Sequence, residues 1–156
     1  MLSPLRDTNQ IKWRDKVTQK FGENPKIYAR FGMKHHNGID FSTPTGTPLY
    51  ASFDGKIAKV GFDGTGYGHY VVIVSPMRYN GEYMESIVAH MSRIDIKEGA
   101  VINAGDPVGL SGNSGFSSGP HLHWGVRKRD KDFKVINYNN GTFGYIDVLP
   151  YIMWWE

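Results

Sequence analysis

Apolar and polar residues alternate in short runs along this chain, and nearly every run ends at glycine, proline or asparagine. From Val17 onward the runs "KVTQKF", "IDFST", "LYASF", "GKIAKVGF", "YVVIVSP", "YMESIVAH" and "AVINAGDPVGLSG" have the length and the period of strands. The loop "GENPKIYARFGMKHHNG" and the turn "PTGTP" separate the first of them. Asn80 and Gly81 sit between two strand-like runs, and Asn-Gly accepts the positive φ of a two-residue hairpin turn. That predicts an antiparallel hairpin with His90 at the far end of its second strand. Asn140 and Gly141 predict another hairpin near the C-terminus, and the sequon they form with Thr142 reads as that turn, not as a glycan site. Residues 1–16 have no clean period and are read as a leader or short irregular segment, and residues 17–156 as one domain. The fold class this predicts is mainly β, a single domain of antiparallel sheets.

Composition narrows the chemistry. The chain has 156 residues, enough for one domain with a real core, and no internal repeat or linker divides it. It contains no cysteine, which excludes disulfides and thiolate ligands and leaves histidines and carboxylates as the donors for any metal site. No window approaches the roughly 20 apolar residues of a membrane span, and the first residues lack the apolar core of an export signal. The net charge of +3 is too small to argue for nucleic acid. It is uneven: residues 1–35 hold eight basic against three acidic side chains, the remainder ten against twelve. A basic N-terminal segment suits an anionic partner, and a solvated surface is the simpler reading.

Six histidines occur, and three settings look like chemistry. In "HHNGIDF", His36 and Asp40 stand four apart, but Asn37 and Gly38 argue against a helix. A straight strand would hold them roughly 13 Å apart, at about 3.3 Å per residue. A shared zinc ion therefore needs a bend, which Gly38 permits. In "HLHW", His121 and His123 share a strand face with Cβ atoms roughly 6 to 7 Å apart, while Leu122 and Trp124 point the other way, into a core. In "SIVAHMS", His90 follows an apolar strand, where a lone histidine is more often a hydrogen-bonded edge residue. Taken together, a His, an Asp and a second His make a three-ligand set that leaves zinc a fourth position for water or substrate. Further histidines beside it suit proton transfer, which a structural zinc site does not need.

With these residues assembled, the sequence resembles the lysostaphin or LytM-type zinc metallopeptidases, which cleave peptide stems or cross-bridges of bacterial peptidoglycan. The resemblance covers about residues 17–150 and rests on "HNGIDF", "GTPLYASFDGKIAKVGFDGTGYGHYVVI", "VAHMS" and "SGFSSGPHLHWGV". It implies a barrel-sandwich-like fold with a substrate groove flanked by loops, one zinc ion bound by His36, Asp40 and His123, and His90 and His121 as the catalytic pair. Only His36 stands four before the aspartate, which leaves His35 as a loop residue. Tyr28 corresponds to a tyrosine that some members place upstream of the first ligand to stabilise the transition state. Ser114 and Gly115, in "SGNSGFSSG", are placed in the groove wall. His69 joins Tyr28, Ser114 and Gly115 as a candidate substrate contact, with a surface strand histidine as the alternative. The insert "SPMRYNGEYMES" is placed as a lip over the groove, and Arg127, Lys128, Arg129 and Lys131 as a solvated strand end or a contact for anionic wall polymers. The partner implied is a peptidoglycan peptide, taken by a monomer at the cell wall, extracellular or periplasmic, without nucleic acid or membrane insertion. With no export signal in the chain, an excised domain or a phage lysin is expected.

Three other readings are weighed against this one. A non-catalytic, zinc-binding regulator of wall hydrolases on the same fold is the main alternative, but such relatives lack ligands and none is missing here. A swinging-arm carrier domain is suggested by "DGKIAKV" and "EGAVINAGDPVGLSG", but no lysine stands at a tight hairpin tip. "GTGYG" precedes a strand where a dinucleotide loop would precede a helix.

Overall fold

Residues 1–155 are described by a computed structural model. Their strands are β1 (Val17–Gln19), β2 (Ile39–Ser42), β3 (Pro48–Tyr50), β4 (Gly55–Asp63), β5 (Gly68–Val74), β6 (Tyr83–Ile94), β7 (Val101–Ile102), β8 (Pro107–Ser111), β9 (His121–Arg129) and β10 (Tyr145–Ile146). All pairings between them are antiparallel, in the order β1-β2-β9-β6-β5-β4-β7, with β10 on β9 and β8 joining β3 to β6. Helix is confined to a single α turn at Pro25–Tyr28 and to short 3-10 turns. The alternation in the sequence thus corresponds to a mainly β, antiparallel architecture.

Period-two alternation separates the core from the chemistry. On β9, Leu122, Trp124 and Val126 are fully buried, and on β2 Ile39 and Phe41 are buried with them. These side chains leave the sheet on the face opposite to His121, His123 and Asp40. β6 is the strand on which the sheet turns. Its first part lies between β5 and β9 up to the pair Ala89↔His123, and from Met91 it pairs with β8 instead. Between those two partnerships sits His90, with φ of 59°. The pairing His69↔Met91 followed by Val71↔Val88 shows that β6 carries one extra residue there, a β-bulge.

Residues 1–16 are irregular apart from the 3-10 turn Trp13–Lys16, yet they pack into the core and do not trail from it. Leu5 and Trp13 are buried, and the Trp13 indole donates to the Arg6 carbonyl at 2.9 Å. Arg6 stacks on Tyr50 and Trp155, and Leu2 bridges to Met153.

Four local expectations change. The β5–β6 hairpin exists, but its turn is not a two-residue Asn-Gly turn. The Gly81 N–H donates to the Arg78 carbonyl at 2.9 Å, with Tyr79 and Asn80 as central residues and Gly81 at φ of 80°. That is a longer loop in which only the glycine needs positive φ. This tip lies at the Tyr83 end of β6, about 20 Å along the strand from His90 at the usual rise. Residues 75–81 therefore form no lip, and none of them lines the groove. No hairpin forms at Asn140-Gly141, because the Asn140 side-chain oxygen gathers the Thr142 N–H, the Thr142 hydroxyl and the Gly144 N–H into a compact loop. The following β10 pairs with β9. Finally, Arg127 and Arg129 are not a free basic strand end. Both bind the buried carboxylate of Glu85 across the β6–β9 pair, and each also donates to a backbone carbonyl.

Leu122 fixes which face of β9 is inside. Leu122→Ala is expected to lower unfolding stability by about 2–5 kcal/mol in urea denaturation, because a fully buried side chain leaves a cavity.

Candidate metal centre

The centre is built on the pairing of β2 with β9, which sets Asp40 opposite His123 and Ser42 opposite His121. Opposite residues of an antiparallel pair share a face, so the carboxylate and both imidazoles look into the same space. His36 arrives from the loop before β2, its backbone tied to Glu23 and Gly22 by hydrogen bonds of 2.9 and 3.0 Å. Gly38 lets this loop close. Its φ is not positive, so the requirement is one of space. A Cβ there would lie 2.5 Å from the Trp124 carbonyl oxygen and 2.7 Å from Cε1 of His123.

Three donor atoms converge as a result. His36 Nε2 is 3.1 Å from Asp40 Oδ1 and 3.1 Å from His123 Nδ1, and the last two are 2.9 Å apart. His36 Nδ1 contacts the Lys20 carbonyl at 2.9 Å, which assigns the ring proton to Nδ1 and leaves Nε2 a bare lone pair. A lone pair held at this distance from a carboxylate oxygen and a second ring nitrogen is the arrangement that a shared metal ion fits. Two imidazoles and one carboxylate are donors suited to zinc, and all three side chains are buried. Burial opposes ionisation of Asp40, but the imidazoles of His123 and His36 outweigh it and hold the carboxyl well below its usual range. Burial lowers the His123 pKa, with Asp40 acting against it.

His90 and His121 stand beside this cluster with ring centroids 4.5 Å apart. Each is pinned through Nδ1: His90 to the Ser114 carbonyl at 2.7 Å, His121 to the Gly119 carbonyl at 2.8 Å. Donation from Nδ1 leaves both Nε2 atoms as acceptors. His121 Nε2 lies 3.8 Å from Asp40 Oδ2. Burial, and then the neighbouring His123 and His121, push the His90 pKa down to about 4, so the ring is neutral at neutral pH. Positive φ in a non-glycine residue is uncommon and concentrates at functional positions. Here it belongs to the bulge that aims His90.

A groove of about 880 Å³ runs over these residues. One wall is the segment carrying Ile27, Tyr28 and Phe31, and the other is the loop Gly115–Pro120. Gly115, at φ of 78°, packs so closely on the β4–β5 tip that a Cβ would lie 2.3 Å from the Gly68 nitrogen. Of the four expected substrate contacts, Tyr28 and Gly115 line the groove and His69 and Ser114 do not. The His69 ring is exposed and lies against Phe62 at 4.5 Å between centroids. Ser114 turns its hydroxyl to the Met91 carbonyl at 2.8 Å and serves the site through its own carbonyl, which holds His90. His35 is outside the cluster, edge-on to Phe21. Tyr28 lies 5.1 Å from the His36 ring, and burial followed by the Asp40 charge pushes its pKa up to about 12, so its hydroxyl keeps its proton.

Some residues of the site are not singled out in the sequence. Tyr67 covers the His123 ring at 5.6 Å and receives the Asn37 amide at 2.8 Å. Ser117 meets His121 Nδ1 at 2.9 Å. Gln19 reaches both Asp40 and Tyr28. Asn37, Tyr67 and Ser117 stand inside stretches that carry the resemblance but are not themselves singled out there, and Gln19 is an ordinary polar residue at an unremarkable spacing that only the fold brings in.

A sheet that sets two imidazoles and a carboxylate around one point, with two more imidazoles on the rim of a groove, defines a metallopeptidase-like centre. The model of peptidase family M23 matches residues 34–135, and the chain belongs to that family. It is 38% identical over 128 residues to the peptidoglycan DD-endopeptidase ShyA of Vibrio cholerae, covering 82% of this chain and 28% of that one. It is 30% identical over 119 residues to the glycyl-glycine endopeptidase ALE-1 of Staphylococcus capitis, covering 76% and 32%. Among solved structures, the catalytic domain of the antimicrobial peptidase lysostaphin from Staphylococcus simulans superposes with a TM-score of 0.68 at 26% identity, covering 89% of this chain and 93% of that one. The chain spans about a fifth to a third of the length of the curated relatives it matches. Among the described residues no helix is long and apolar enough to cross a membrane.

Gly38→Ala is expected to push the His36 loop away from His123 and to weaken zinc binding at least tenfold, measured by competition with a chelating dye.

Proposed function

We propose that this chain is a zinc-dependent endopeptidase that hydrolyses peptide bonds in the stems or cross-bridges of bacterial peptidoglycan. The observation that carries the reading is the convergence of His36 Nε2, Asp40 Oδ1 and His123 Nδ1, with the acceptor nitrogens of His90 and His121 beside them. A zinc ion held by those three atoms would polarise the scissile carbonyl and lower the pKa of a water.

The remaining work belongs to side chains. With Nδ1 pinned, His90 and His121 take a proton at Nε2 and can return it to the leaving amine. Tyr28 offers its hydroxyl proton to charge developing on the carbonyl oxygen. The low-bulk wall Gly115–Pro120 lets a peptide backbone lie close, and the wall of Ile27, Tyr28 and Phe31 gives it an apolar surface. The acting form in this reading is a monomer. Relatives named as a DD-endopeptidase and as a glycyl-glycine endopeptidase support peptidoglycan peptides as the substrate class and the wall, extracellular or periplasmic, as the place of action.

Three outcomes are expected. His123→Ala loses stoichiometric zinc. His90→Ala and His121→Ala each keep zinc, by elemental analysis, and lose about 10²- to 10⁴-fold in kcat on purified peptidoglycan. A chelator stops the release of peptide fragments, followed by mass spectrometry of defined muropeptides, and added zinc restores it. Zinc-loaded protein that leaves several peptidoglycan types uncut would overturn the reading.

A further inference from the structure

Gln19 is a half-buried glutamine on the edge strand of the sheet, and nothing in its sequence setting points to chemistry. Its position depends on a register fault. Val17 pairs with Phe41, and in a regular ladder Gln19 would then pair with Ile39 and share the core face with it. Instead Gln19 pairs with Asp40, because β1 holds one extra residue at this point. A bulge of this kind re-aims a side chain, and here it swings Gln19 from the core face to the metal face.

The contacts it gains there fix the direction of every hydrogen bond. Gln19 Nε2 lies 3.0 Å from Asp40 Oδ2 and 2.6 Å from the Tyr28 hydroxyl, while Oε1 accepts from the Asn24 side-chain amide. The atom against the ionised carboxylate must be the NH₂ group, since the amide oxygen would repel it. One N–H therefore goes to Asp40 Oδ2 and the other to the Tyr28 oxygen. An amide nitrogen accepts nothing, so the Tyr28 hydroxyl proton is left for a different acceptor. On the carboxylate, Oδ1 faces His36 Nε2 and His123 Nδ1, and Oδ2 accepts from Gln19, with His121 Nε2 farther off at 3.8 Å.

We propose that Gln19 is a positioning residue that holds Asp40 to one-oxygen ligation of zinc and, with its second N–H, turns the Tyr28 hydroxyl into an obligatory hydrogen-bond donor. Ligation through one oxygen would leave the fourth position of a three-ligand zinc site open to water or substrate. The bulge explains why a side chain on an edge strand acts at a buried centre. The proposal rests on the zinc reading above.

The test uses the purified chain with zinc and, separately, with cobalt(II) as a spectroscopic substitute. Gln19→Met keeps the length and removes both donors, and Gln19→Leu removes both with a shorter side chain. Both are expected to bind zinc about 10- to 100-fold more weakly in chelator competition. In Gln19→Met the visible absorption of bound cobalt is expected to lose intensity as the released Oδ2 raises the coordination number. The metal-free melting temperature, expected to stay near that of the parent, separates this effect from misfolding, and if Gln19→Met does not fold, Gln19→Leu carries both measurements with the same expected loss of cobalt absorption. Zinc affinity within twofold of the parent in a folded variant overturns the proposal, as does weakened zinc binding with an unchanged cobalt spectrum. If the parent binds no zinc, the metal reading fails, and this proposal fails with it.

Discussion

The antiparallel pairing of β2 with β9 is the constraint on which the rest of this structure depends. It sets Asp40 against His123 and Phe41 against Leu122, so that one ladder of hydrogen bonds places ligands on one face and core on the other. A slip of a single residue would turn every one of these side chains over, burying the carboxylate among apolar groups and exposing the tryptophan. Burial of Leu122, Trp124, Ile39 and Phe41 opposes that slip, so hydrophobic packing acts as a register lock for the metal centre.

Departures from regularity complete what the ladder begins. Two bulges, at Thr18 and at His90, each insert one residue next to the site, and each aims a polar side chain at it. Gly38 removes a Cβ where the loop of His36 meets the His123 ring. These irregularities bring together groups from β1, the loop before β2, β6 and β9, which no regular pairing would converge. The same logic governs protonation, because backbone carbonyls at Lys20, Ser114 and Gly119 take the Nδ1 protons of His36, His90 and His121.

Much of this was legible in the sequence because it is local and periodic. Strand alternation assigned Leu122 and Trp124 to the core and His121 and His123 to a shared face, and the spacing about Gly38 singled out His36 over His35. What the sequence did not reveal depends on partners distant along the chain. Asn80-Gly81 marks a turn, but its type follows from how β5 and β6 are paired. Asn140-Gly141 has the hairpin signature, yet the Asn140 side chain closes a different loop. Arg127 and Arg129 look like free surface charge until Glu85 is found across the strand pair. Ser114 is expected in the groove wall but stands behind it and holds His90, and Gln19 reaches Asp40 only through a bulge.

The attachment of His90 to the Ser114 carbonyl makes the low-bulk wall and the His90 imidazole one mechanical body. That wall is wedged backbone to backbone on the β4–β5 tip, with the Phe116 N–H on the Gly66 carbonyl at 2.8 Å, so its position is set by main chain and not by adjustable rotamers. Any displacement of that wall would carry the His90 imidazole with it and away from the three ligand side chains. If the chain acts as proposed, selection among substrates would be read in turnover more than in affinity: a poor substrate would be bound and still go uncut.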